Sequence, residues 1–178
     1  MIGITVEKAH GEYDPGTSKF FGAPTMPEEW LSNGTVNDDD FFFCQLKISE
    51  FKNHDTKNLL PNGGFIYIFL TEKDGEYIPN VRYCESEPDT IIDDFNVGFD
   101  LPDDIETDFS IDFFDTDCSD DGTRLLVENG DEITLLQYDP LDDNMPSFLA
   151  DTEKIAYLTV NRKSLENLDF SNAEFTVK

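Results

Sequence analysis

The densest set of groups able to do chemistry is a run of carboxylates in the middle of the chain. Between positions 85 and 121 there are 15 acidic side chains in 37 residues, and no Lys or Arg falls between Arg82 and Arg124. Within this run, Asp117-Cys118-Ser119-Asp120-Asp121-Gly122 is followed six residues after the glycine by Glu128. Oxygens at alternate positions, a glycine for a sharp turn and a later bidentate acid are the parts of a calcium loop. In that reading Asp117, Ser119, Asp121 and Glu128 are the metal ligands. The flanks favour an ordinary Asp/Gly turn instead. The entering segment, 108–114, has strand period, Asn129-Gly130 interrupts the exit, and Arg124 stands where such loops carry an apolar residue. No cofactor is expected.

The other carboxylates of the run suit a different task. Asp93, Asp94, Asp103, Asp104, Glu106, Asp108, Asp112 and Asp115 would form a docking surface for a cationic protein. Like charges this dense cost stability unless they spread outward or are neutralised by ions or a partner. The whole chain carries a net charge of −27, from 39 acidic and 12 basic side chains. Such a balance repels nucleic-acid phosphates and anionic membrane surfaces, so neither is expected as a partner. It attracts a basic protein or divalent cations. The plainer use of the acidity is solubility.

Nucleophiles and bases are sparse. His10 and His54 are the only histidines, and adjacency of His54 to Asp55 in sequence does not orient an imidazole as a triad does. The chain has no G-x-S-x-G, P-loop, H-E-x-x-H or G-x-G-x-x-G. Cys44, Cys84 and Cys118 are odd in number and unpatterned, which fits reduced thiols and a cytoplasmic setting. The first residues have neither the basic nor the apolar region of a signal peptide, and no apolar run approaches the ~20 residues of a membrane span. A non-enzymatic protein is expected; a hydrolase using paired carboxylates is the alternative. Nothing in the sequence fixes an oligomeric state.

The elements that must position these groups read mainly as strands. Phe65-Ile66-Tyr67-Ile68-Phe69-Leu70 is apolar on both faces, so it is expected to be central and covered on both sides. Lys73-Asp74-Gly75 reads as a hairpin turn into a return strand over 76–84, where Pro79 implies an edge or a bulge. Phe95, Val97, Phe99 and Leu101 alternate with polar residues, as do Phe109, Ile111 and Phe113, predicting two strands each with one dry and one wet face. Later strands are predicted over 123–127, 132–138, 154–160 and 173–177, with Asn129-Gly130 as a two-residue hairpin. Helical signals are short: 27–31, 49–52 and 164–168, the last two opening on serines suited to capping.

An internal echo is present. Phe42-Phe43-Cys44-Gln45-Leu46 precedes Phe65 much as Leu135-Leu136-Gln137-Tyr138 precedes Ile155. Each unit is strand, loop, strand, with a glutamine in its first strand. An inward glutamine there would bond backbone in the neighbouring half, because buried amides need partners.

Several of these stretches resemble the YwqG-like family, a bacterial family whose name records no activity. Ser18-Lys19-Phe20-Phe21-Gly22-Ala23-Pro24-Thr25-Met26-Pro27 resembles its "SKfGGxPxLP" opening, and Trp30 sits near the family's tryptophan. Phe41-Phe42-Phe43-Cys44-Gln45-Leu46 is similar to its "fLaQinl" strand, and Leu60-Pro61-Asn62-Gly63-Gly64-Phe65 to its "LPxxGxLyfF" element. Leu135-Leu136-Gln137-Tyr138 resembles the late "LLQid" strand, and Leu168-Asp169-Phe170-Ser171 the closing "dFs" segment. The resemblance covers about 18–70 and 123–178. A "GYP"-type element is missing, and the acidic segment at about 85–121 is unlike the family. The resemblance implies a single domain over 1–178 of α+β class, predominantly antiparallel β, with two related β-rich halves and short helices. It implies structural roles for Gly22, Pro24, Pro27, Trp30, Gln45, Gly64 and Gln137, and carries over no catalytic residue. The net charge and the acidic middle segment leave an immunity-like binding protein for a basic partner as the expected function, with divalent-cation binding as an alternative.

Overall fold

The computed structural model describes residues 1–88, 90–117 and 122–178, with the backbone alone at Ile105. Ten strands make one antiparallel sheet: β1 (Ile2–Lys8), β2 (Lys19–Phe20), β3 (Phe41–Lys47), β4 (Phe65–Lys73), β5 (Glu76–Cys84), β6 (Phe109–Asp115), β7 (Arg124–Asn129), β8 (Glu132–Tyr138), β9 (Ala156–Asn161) and β10 (Glu174–Val177). Their order is β10-β9-β8-β7-β1-β6-β2-β3-β4-β5. The sheet curls until its two ends nearly meet, with Tyr77 of β5 against Phe175 of β10, ring centroids 5.9 Å apart. Three helices of one turn, α1 (Glu29–Ser32), α2 (Ile48–Phe51) and α3 (Arg162–Glu166), decorate it.

β4 is central because its residues are apolar on both sides. Ile66, Ile68 and Leu70 join the main core with Phe43, Tyr138, Phe148 and Phe175. Phe65, Tyr67 and Phe69 join a smaller core on the opposite face, closed by Met26, Val36, Trp30 and Phe95. The interior is built largely from tilted and edge-on rings, such as Phe43 on Tyr138 at 5.3 Å. Each such pair adds about 0.5–1.5 kcal/mol beyond its area. The β4–β5 turn has Asp74 and Gly75 both at positive φ, 55° and 81°, the demand that selects Asp-Gly there. β5, which carries Pro79, is an end strand.

Four sequence expectations need correction. Residues 95–101 form no strand. Phe95 and Phe99 turn into different contacts, against Phe69 and Phe41, and Val97 is 68% exposed. The Asn96 amide sits between them, accepting from Phe42 N–H at 2.8 Å and donating to Phe42 carbonyl at 3.1 Å. One side chain thereby replaces the ladder a strand would have made. The β7–β8 turn is Gly130-Asp131, one residue later than expected, since Asn129 still pairs with Glu132. α3 begins two residues before Ser164, because Asn161 caps it by accepting from Lys163 N–H at 3.0 Å. α2 begins at Ile48, and no side chain caps it.

The strand order reads the same from both ends when each of β1–β5 is exchanged with the strand five later. Contacts follow the same exchange. Gln45 lies between Lys19 and Tyr67 in register, and Gln137 between Arg124 and Tyr157. The register of β3 slips between Phe42 and Cys44, and that of β8 between Thr134 and Leu136. Phe21 and Leu126, each two residues past the start of its strand pairing, have φ of 53° and 54°.

Candidate functional site

The acidic residues of the middle segment fall on three elements. Asp93 and Asp94 lie in the turn before Phe95, Asp103, Asp104 and Glu106 in a 3₁₀ turn (Asp103–Glu106), and Asp112 and Asp115 on β6. Asp93, Asp94, Asp103, Glu106 and Asp112 are exposed and form no ion pair among the described residues. Three others are engaged within the chain. Asp104 accepts from Ser147 N–H and Oγ at 2.8 and 2.7 Å. Asp115 Oδ1 lies 2.9 Å from His54 Nδ1. Asp108 is an internal residue rather than part of a docking face. Its Oδ2 lies 2.9 Å from Lys19 Nζ and its Oδ1 accepts Ala23 N–H at 3.0 Å.

Lys19 is wholly buried on β2. Burial pulls its pKa below the usual lysine value, and the facing Asp108 opposes that shift. The backbone is fitted closely around the pair: at Gly22, with φ +69°, an added Cβ would lie 1.6 Å from Asp108 Oδ1. Gly64 is equally constrained, with φ +94° and Cys84 carbonyl 2.7 Å from where a Cβ would be. The other motif residues are also structural contacts. Pro24 and Pro27 carbonyls accept from Ile92 and Trp30 N–H, both at 3.0 Å. Trp30 stands edge-on to Tyr67 at 5.3 Å.

Gln45 and Gln137 both bond backbone, but on the face opposite Cys44 and Leu46 and in chain flanking the adjacent strand: Gln45 on both sides of β2, Gln137 just before β7. Gln45 Nε2 donates to Thr17 carbonyl at 2.7 Å and its Oε1 accepts Thr25 N–H at 3.0 Å. Gln137 Nε2 donates to Gly122 carbonyl, also at 2.7 Å.

Of the calcium-loop residues, Ser119 and Asp121 lie outside the described residues. Asp117 is exposed. Glu128 sits on β7, where its carboxylate meets Lys57 Nζ at 2.6 Å and the Arg162 guanidinium. Those two cations hold its pKa below the usual carboxylate range. Among the described residues no group of three or more His, Cys, Asp or Glu is arranged to hold a metal ion. Cys44 is buried in the core, and that burial raises its thiol pKa well above the ordinary value. No helix among the described residues is long and apolar enough to cross a membrane.

Two further polar groups are buried, Asp55 and Arg124. Asp55 is buried and accepts from Leu59 and Leu60 N–H, both at 3.0 Å, and from Lys52 Nζ at 2.9 Å. Arg124 is 3% exposed, and its Nη1 has no hydrogen-bond partner. The available signal was a basic residue inside an apolar strand: Lys19 before Phe20-Phe21 and Arg124 before Leu125-Leu126.

What this geometry defines is a nearly closed antiparallel β domain with exposed carboxylates on β6 and in the turns before it. No family model matches the chain, and no curated protein matches it.

Proposed function

We propose that this protein is a non-enzymatic, immunity-like binding protein whose acidic flank engages a basic protein. One observation carries the reading. The ion pairs of the described residues engage only five carboxylates, those of Asp55, Glu87, Asp108, Asp115 and Glu128. Most of the described acidic side chains, in a chain that has 39, are therefore left without an internal cation. Uncompensated charge of one sign accelerates association with the opposite sign, and ionic strength weakens that effect. The test is affinity capture from the native lysate at low and high salt, followed by association kinetics with the purified partner. A basic partner whose association rate falls steeply with salt is expected. Recovery of no basic protein at either salt removes the proposal.

We further infer that the domain consists of two related halves, β1–β5 and β6–β10, which exchange their first strands, and that the YwqG-like resemblance belongs with this organisation. Equivalent bonds support it. Ser18 carbonyl accepts Ile111 N–H at 3.1 Å, and Thr123 carbonyl accepts Ile4 N–H at 3.0 Å. In this organisation β6 can stand in for β1, so residues 107–178 expressed alone are expected to dimerise through β6. A folded monomer in sedimentation analysis counts against it.

A further inference from the structure

β1 runs out of neighbours on one side. It pairs with β6 along its whole length, but with β7 only at Ile2 and Gly3. The final bond on that side is Ile4 N–H to Thr123 carbonyl. Backbone groups alternate between the two sides of an antiparallel strand. Those of Val6 and Lys8 therefore point the same way as Ile4's, toward a side where no strand of the described residues pairs with them. An unpaired edge of this kind is a template for another chain.

The matching edge of β6 is filled by the protein itself. Beyond its short pairing with β2, β6 is covered by α2 and the 3₁₀ turn that follows it. Phe51 packs on Phe113 with ring centroids 5.0 Å apart, and His54 reaches Asp115.

Among the described residues, Val6 and Lys8 line cavities instead. A cavity of about 620 Å³ is lined by residues 5–8, and one of about 470 Å³ shares Thr5 and Val6 with it. The two adjoin at Thr5 and Val6 and also reach Phe109, Asp112 and Phe114 of β6; we call their combined space the groove. Glu7, Asp104, Asp112, Asp142 and Asp143 line it, against the single ammonium of Lys8 and the imidazole of His10. At one end stands Arg124, buried and with its Nη1 lacking an acceptor. A buried donor left unpaired costs free energy that an incoming acceptor recovers.

We infer that this groove receives an extended, Lys- and Arg-rich segment of a partner protein, which adds a strand to β1 at Val6 and Lys8. The inference rests on the basic-partner reading above and assigns that partner a place. Carbonyls of the incoming strand accept from Val6 and Lys8 N–H and, at the closed end, from Arg124. Its cationic side chains meet the five carboxylates, which sets the chemistry of the occupant by charge.

The probe is a short synthetic peptide alternating lysine and valine, titrated at low salt onto the whole chain and followed by amide hydrogen exchange. Exchange at Val6 and Lys8 is expected to slow by about tenfold or more in the complex. Lys8→Pro removes one groove-facing N–H without touching the β6 ladder, and is expected to weaken binding about tenfold. Asp38→Asn with Asp39→Asn, at two exposed acids that line neither cavity, is expected to change affinity by less than about twofold. Binding that protects neither amide overturns the groove assignment while leaving the basic-partner reading intact. Absence of binding at low salt also overturns the groove assignment, and the partner reading then falls only if the lysate capture fails as well.

Discussion

Lys19 Nζ lies 2.9 Å from Asp108 Oδ2 with the lysine fully out of solvent, so β2 and the chain entering β6 are joined by a buried ion pair. Removing one member strands the other. Asp108→Ala is expected to cost about 3–5 kcal/mol, because it leaves a buried ammonium uncompensated. Adding Lys19→Met to it is expected to recover part of that loss, so the double variant costs less than the sum of the two singles. Urea unfolding of the three variants measures this. Strict additivity would show that the pair is not coupled.

The two glutamines should differ in weight. Gln45 bonds Thr25, Thr17 and Pro15, whereas Gln137 has the Gly122 bond. Gln45→Leu is expected to destabilise by about 2–3 kcal/mol and Gln137→Leu by about 1 kcal/mol, since each buried group left unpaired adds its own penalty. Equal losses in chemical denaturation would contradict this ranking.

Acid should act through Asp55. Burial pushes its pKa up, but the Lys52 ammonium and the Leu59 and Leu60 amides outweigh burial and hold it below the ordinary carboxylate value. A depressed folded-state pKa stabilises the protein above the unfolded value, about pH 4, and that contribution fades as pH falls through the folded value. Asp55→Asn is therefore expected to lower stability at neutral pH and to flatten the acid limb of the stability curve. A variant whose loss is the same at pH 7 and below pH 3 would refute the assignment.

Arg124 should behave in the opposite sense. Its guanidinium is buried with an unpartnered nitrogen, so Arg124→Met is expected to leave stability unchanged or raise it by about 1 kcal/mol. Thermal unfolding reads the change, and a loss above about 2 kcal/mol would mean that the guanidinium is satisfied in the free protein.

Much of the β4–β5 region was legible because its signals are local. Two apolar faces fix a covered strand, and Asp74-Gly75 fixes the hairpin. The segment from Phe95 to Leu101 was misread for a physical reason. Its alternation is real, but Asn96 satisfies Phe42 with a side-chain amide, leaving the phenylalanines free to serve two different cores. β1 went unread: Ile2, Ile4 and Val6 alternate, but over only seven residues. The acidic flank was legible as composition. The internal use of Asp108 was not, because its partner lies 89 residues away in sequence.

The long reach of β1 has a consequence for how the molecule is made. Ile2 lies opposite Asp115 and Lys8 opposite Phe109, so the strand emerges from the ribosome over a hundred residues before the segment that will hold it. Until then the strand has no native pairing partner, and pairings this distant in sequence form slowly. A nascent chain stalled anywhere before β6 should therefore recruit holding chaperones through its own first strand.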